Sequence, residues 1–176
     1  LEELPPKIDG FVYCPGSINL RPFKGLKSEA FLNDFELNVL GAVKCLQIIQ
    51  PLLAASEQAS VVLFSTVAVQ TGIPFHASVA ASKGALEGLG RSLAAEWAPK
   101  IRVNLIASSI TDTPLANRFL NNEIKKEKSS LRHPLKRIGS VNDVAELAVF
   151  LLTEKSSWMT GQVIGLDGGI STLNIN

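Results

Sequence analysis

SVVLFSTVAVQTGIPFHASVAASKGALEGLGRSLAAEWAPKIRVNLI, residues 60–106, carries the pattern that specifies the fold class. It opens on 60–65, a short apolar run bounded by serines, the pattern of a strand buried within a sheet. A loop holding Gly72 and Pro74 follows, and then an Ala/Leu-rich helix over 80–97 that Pro99 stops. Residues 101–106 mix charged, polar and apolar positions as a second strand before a Ser/Thr/Asp loop. Strand, helix and strand in this order predict a parallel pair joined by a crossover helix.

Working outward, the same alternation repeats. Residues 10–14 (GFVYC) form a strand candidate that Pro15-Gly16 ends. Between 31 and 49, Phe31, Phe35, Val39, Val43 and Leu46 recur three to four apart, which predicts a helix with one core-facing stripe. Pro51 disfavours a helical Gln50 and marks the expected helix end. Residues 143–153 form another amphipathic helix, and 162–166 a last strand closed by Asp167-Gly168-Gly169. The order β-α-β-α-β-α-β, with no Pro/Gly/Ser linker, predicts a single α/β domain over 1–176. Its expected architecture is a parallel sheet with helices on both faces. Ligands of such sheets bind at the carboxyl ends of the strands.

Composition narrows the function. With 46% hydrophobic residues and a net charge of +1, the 176-residue chain is not of a disordered class. Seventeen basic against 16 acidic residues argue against nucleic acid as a partner. No unbroken apolar run approaches the length of a membrane span, and no signal peptide opens the sequence, so neither membrane nor export is expected. Cys14 and Cys45 are too few for a disulfide framework and fit a reducing, cytoplasmic setting as small core residues.

Several features fall on the predicted loops in a fixed order. Leu37-Asn38-Val39-Leu40-Gly41 lies in the first long helix and Ser65-Thr66 ends the second strand. Ala81-Ser82-Lys83 opens the next helix, and Thr113-Pro114 follows the third strand. Together with Gly16, IRVNLI (101–106) and TGQVIGLDGG (160–169), this arrangement resembles the short-chain dehydrogenase/reductase family over nearly the whole chain. The resemblance implies a Rossmann-like fold and an NAD- or NADP-dependent oxidoreductase acting on a carbonyl, hydroxyl or enoyl group of a small-molecule substrate. It also implies a homo-oligomer, dimer or tetramer, built on the helices over 31–49 and 80–97.

By this resemblance Lys83 holds the nicotinamide ribose and lowers the pKa of a tyrosine four residues earlier, the proton donor of the reaction. An ammonium beside a phenol favours the phenolate. The alternative is a solvated lysine in the first turn of a helix. The tyrosine position, however, is occupied by Val79, which has no proton to exchange. The chain's single tyrosine, Tyr13, sits on the first strand, where the family carries an asparagine. Thirteen residues before Val79, where the family places the carbonyl-polarising serine, stands Thr66, which keeps a hydroxyl. His76, seven residues before Lys83, occupies the spacing used by the enoyl reductases for their tyrosine, and an imidazole is able to protonate an enolate. The alternative for His76 is a plain loop histidine; Ser78 is a second hydroxyl, on the wrong side of the helix start. Asn38 corresponds to a family residue that tilts its helix and holds a water in the proton relay, or is a polar residue tolerated in a helix.

On the cofactor side, the resemblance leaves Cys14, Pro15, Gly16, Lys83, Ile110 and Thr113. No Gly-rich strand-to-helix turn of the kind that cradles a pyrophosphate occurs in the sequence. Gly84, Gly88 and Gly90 lie within a helix and read as packing glycines. The first strand corresponds to the family's fourth, so a βαβαβ segment of about 60–70 residues is expected upstream, with the position that reads the ribose. A degenerate member, folded but catalytically silent and working as a subunit or binding scaffold, is the competing expectation. The run Lys125, Lys126, Lys128, Arg132, Lys136 and Arg137 reads as a solvated helix because Glu123 and Glu127 lie at helical spacing within it. No metal site is expected at His133, and Trp97 and Trp158 are read as packing anchors.

Overall fold

Four parallel strands, β1 (Gly10–Tyr13), β2 (Ala59–Thr66), β3 (Ile101–Ser108) and β4 (Val163–Leu166), form one sheet in the order β1-β2-β3-β4 in a computed structural model that describes residues 4–174. Tyr13 stands opposite Leu63, Leu63 opposite Leu105, and Leu105 opposite Val163, so the ends of all four strands come out at one edge. The crossovers are helical: α1 (Ser28–Phe35), a π-helical turn Glu36–Leu40 and α2 (Gly41–Ala54) join β1 to β2, and α3 (Ala77–Trp97) joins β2 to β3. Between β3 and β4 lie α4 (Asn117–Leu120), α5 (Glu123–Arg132) and α6 (Val141–Leu152).

The period-two alternation of the central strands sorts the core into two layers. Val61, Leu63, Val103 and Leu105 face Leu46, Ile49 and Leu53 of α2 and Leu86 and Ala94 of α3. Val62 and Ile106 face the other way, onto Ala148 and Leu151 of α6. Helices therefore cover both faces, as expected from sequence. Arg102 fastens the second layer: its guanidinium donates to the carbonyls of Thr153, Ser156 and Met159 beyond the end of α6.

Four details differ from the sequence reading, each for a local reason. Pro51 lies inside α2, which continues to Ala54, because fully buried Leu53 anchors one more turn. The π turn adds a residue to the helix and rotates its buried face, so Asp34 and Asn38 are buried while Phe35 is exposed. Cys14 follows inward-facing Tyr13 and so points out, an exposed free thiol. Trp158 is 99% exposed; its neighbour Met159 is the side chain that packs against the α6 layer.

The three glycines of α3 also separate. A Cβ at Gly90 would stand 2.6 Å from Leu105 Cδ1, so this one is a packing glycine, whereas Gly88 faces open space. The stretch Ser28–Ala54 is one 27-residue helical run whose most apolar window has a mean hydropathy of 1.4, long and apolar enough by those measures to cross a membrane. The sequence reading counted unbroken apolar runs and missed it, because Asn38, Lys44, Gln47 and Gln50 interrupt the run while leaving its mean apolar. In this fold the run lays Ala42, Leu46, Ile49 and Leu53 onto the sheet.

Candidate functional site

The loop after β1 and the first turns of α3 meet at the strand-end edge of the sheet, around a buried polar cluster. Asn38 is fully buried, and its amide donates to Ser17 Oγ at 3.1 Å and to Ser82 Oγ at 2.9 Å. Ser17 in turn donates its hydroxyl to Asp34 Oδ1 at 2.7 Å, and Ser82 donates to the Val79 carbonyl at 3.0 Å. The π turn makes this possible, since it aims Asn38 at α3. The carbonyl of Leu37 in the same turn accepts the Tyr13 hydroxyl at 2.7 Å. Gly41 is required there, because a Cβ would overlap that hydroxyl.

Lys83 reaches into this cluster. It lies in the second turn of α3 rather than the first, and it is 6% exposed, not solvated. A Cβ at Gly16 would stand 3.4 Å from Lys83 Nζ and 3.6 Å from Asn38 Oδ1, so glycine leaves open the space facing both groups. Burial pulls the ammonium down to about 8, while the charges of Asp34 and Cys14 hold it up. Although exposed, the Cys14 thiol is partly desolvated by its surroundings, which raises it, and the Lys83 charge draws it partly back. Asp34 Oδ2, Asn38 Oδ1 and Ser78 Oγ are buried without a hydrogen-bond partner among the described residues. Unsatisfied acceptors beside an ammonium mark a place built for something more than packing.

The other sequence candidates stand apart from the cluster. Thr66 ends β2, where its oxygen accepts the Ala68 N–H at 3.3 Å and its proton is left to donate. His76 caps the front of α3, its Nδ1 2.8 Å from the Pro74 carbonyl. Seven helical residues set it roughly 10 Å from Lys83 along the axis. Ile110 and Thr113 lie on the loop after β3; Ile110 accepts the Gly139 N–H at 3.1 Å, and Thr113 caps the short turn Pro114–Ala116. Val79 is 5% exposed on the buried side of α3. Among the described residues no group of three His, Cys, Asp or Glu side chains is placed to hold a metal.

Sequence reasoning missed Asp34, Ser17 and two buried pairs. Ser65 donates to Glu87 Oε1 at 2.6 Å, and the His133 ring lies 2.9 Å from Ser109 Oγ and 2.7 Å from the Ser129 carbonyl. Asp34 carried no signal of its own, because Glu29, Asn33 and Glu36 are polar positions of the same helical run.

Residues 1–171 match the family model described as enoyl-(acyl carrier protein) reductase. A tropinone reductase homolog of Arabidopsis thaliana is 36% identical over 166 residues, which is 94% of this chain and 63% of the relative. Senescence-associated protein 13 of the same plant is 36% identical over 169 residues, 96% of this chain and 62% of its own length. The chain thus spans a little over three-fifths of these curated relatives. Among solved structures, a short-chain dehydrogenase/reductase of the glucose/ribitol dehydrogenase type from Brucella melitensis superposes with a TM-score of 0.86 at 29% identity, covering 93% of this chain and 65% of that one. A gluconate 5-dehydrogenase from Burkholderia cenocepacia, in complex with NADP and tartrate, gives a TM-score of 0.88 at 24% identity over 96% of this chain and 66% of that one, a likeness of fold.

Proposed function

Because the chain belongs to the short-chain dehydrogenase/reductase family, we propose that the protein is an NAD- or NADP-dependent oxidoreductase of a carbonyl, hydroxyl or enoyl group, with turnover depressed by Val79. The observation that carries this reading is the buried Lys83 amine facing the gap left by Gly16, beside the unpartnered Asn38 Oδ1. A nicotinamide ribose offers hydroxyls that suit both groups, so the residues present fit that half of the cofactor. Cys14, Pro15 and Gly16 would border it, and Ile110 and Thr113 of the loop after β3 would contribute as the resemblance implies. The nicotinamide group supplies or takes the hydride when bound. The chain's own residues do the rest: Thr66 donates its hydroxyl proton toward the substrate oxygen, Lys83 holds the ribose, and Asn38 fixes the helix that carries the polar cluster. His76 is the nearest replacement for the missing phenol in the sequence order of the enoyl branch. The reading includes a reducing, cytoplasmic setting, consistent with two free cysteines.

Titration of NADH and NADPH against the intact protein tests it. Saturable binding of either, lost in Lys83→Ala, is expected; no binding of both defeats the reading. One observation favours a second reading, a catalytically silent subunit: the aliphatic Val79 at the proton-donor position. If cofactor binds without turnover and His76→Ala changes nothing, the silent subunit is the better account. If His76→Ala abolishes turnover, the proton route through the imidazole holds.

A further inference from the structure

A cavity of about 310 Å³ lies between the loop after β2, the last turn of α5 and the segment that follows β4. Val67, Ile73, Pro74 and Ile170 give it apolar walls, and Arg132 is the only charged residue among the described residues that line it. Two of its walls are tied together by the Thr71 hydroxyl, which donates to the Ser171 carbonyl at 3.4 Å. The acidic group carried by the segment after β4 is already engaged: Asp167 accepts the N–H groups of Gly169 at 2.8 Å and Ser171 at 3.1 Å, and the Ser171 hydroxyl.

Arg132 has no carboxylate partner among the described residues, nor have Lys125, Lys128 and Lys136, but of these it alone lines the cavity. Lys126 pairs with Asp112 at 3.4 Å and Arg137 with Asp143 at 2.7 Å. The basic run from Lys125 to Arg137 outweighs Glu123 and Glu127, so the potential over this part of the molecule is positive. A permanently charged, forked donor at the rim of an apolar hollow matches the planar geometry of a carboxylate. The volume falls at the small end of the range for ligand pockets.

We propose that this cavity receives a small organic anion, a carboxylate on an apolar body, and that Arg132 is the residue that selects it. As a statement of substrate class this rests on the oxidoreductase reading, since Val67 sets the cavity next to Thr66, the hydroxyl assigned to the reacting oxygen. The charge recognition itself depends on the cavity and the guanidinium alone.

Phenylacetate and its neutral counterpart phenylacetamide, titrated without cofactor into the intact protein and followed by protein NMR shifts, test the assignment. The wild type binds phenylacetate about tenfold more tightly than phenylacetamide. Arg132→Met brings the two affinities within about twofold of each other, Arg132→Lys restores part of the preference, and Lys128→Met leaves it intact. Equal affinities in the wild type, a preference surviving Arg132→Met, a preference lost in Lys128→Met, or no binding of either probe overturns the proposal. Parallel NADH and NADPH titrations separate the two readings. Carboxylate preference with neither cofactor bound defeats the oxidoreductase reading alone, and binding of either cofactor without carboxylate preference defeats the anion site alone.

Discussion

Val79 and Lys83 stand one helical turn apart on α3, and the chemistry expected of the pair is split between them. The lysine keeps its buried position, while the side chain it would serve has lost its proton. Val79→Tyr is therefore expected to raise carbonyl reduction with NADH or NADPH by a factor of about 10² or more, read from nicotinamide absorbance. An unchanged rate would place the loss of turnover elsewhere in the site. Lys83 also couples ionisation to stability. Its folded-state pKa, near 8, lies below the ordinary lysine value of 10.5, so between those values the unfolded chain binds more protons than the folded one. Stability should therefore rise as the pH climbs from about 8 toward 10.5, by at most about 3 kcal/mol. Urea unfolding of the wild type and Lys83→Met at pH 7 and pH 10 measures this: the variant is the more stable at the lower pH, and its advantage shrinks at the higher.

At the scale of single elements, α3 and α6 offer direct tests of packing and capping. Gly90→Ala pushes a methyl against fully buried Leu105 and should cost about 1–3 kcal/mol. Gly88→Ala, on the open face of the same helix, should gain about 0.5–1 kcal/mol through propensity. At the start of α6, Ser140 and Asp143 bond reciprocally to each other's backbone N–H, so Ser140→Ala should cost about 1 kcal/mol. Equilibrium urea curves separate the three. These elements were legible in the sequence because each signal is local: the apolar runs of β2 and β3, the Ala/Leu helix between them, and the Pro99 stop. What lay hidden depended on partners far along the chain. The π turn is one case, since Glu36–Leu40 reads as ordinary helix until Tyr13 claims the Leu37 carbonyl. The continuation of α2 through Pro51 is another, decided by a buried Leu53 that propensity does not see. In the site, Lys83, Asn38 and Gly16 stood out through their motifs, whereas Asp34, Glu87 and Arg132 acquire meaning only from what surrounds them in space.

For the molecule as a whole, the helical run α1–α2 presents Leu32, Phe35 and Ile48 outward, 67%, 38% and 51% exposed, on the side away from the sheet. We propose that these exposed apolar side chains belong to a homo-oligomer interface, as the resemblance implies. Introducing lysine at both Leu32 and Ile48 is expected to lower the mass found by sedimentation equilibrium to that of one chain. We propose that residues 1–176 form a single domain, so the chain should melt in one calorimetric transition. The seam between sheet and helical layer carries its own indicator. Tyr13 is the sole phenol of the chain, and burial together with Cys45 raises it above its ordinary ionisation range. Its ultraviolet spectrum is thus a built-in optical gauge: during alkaline titration the phenolate band emerges when the hydroxyl lets go of Leu37, reporting the parting of strand from helix without any attached dye.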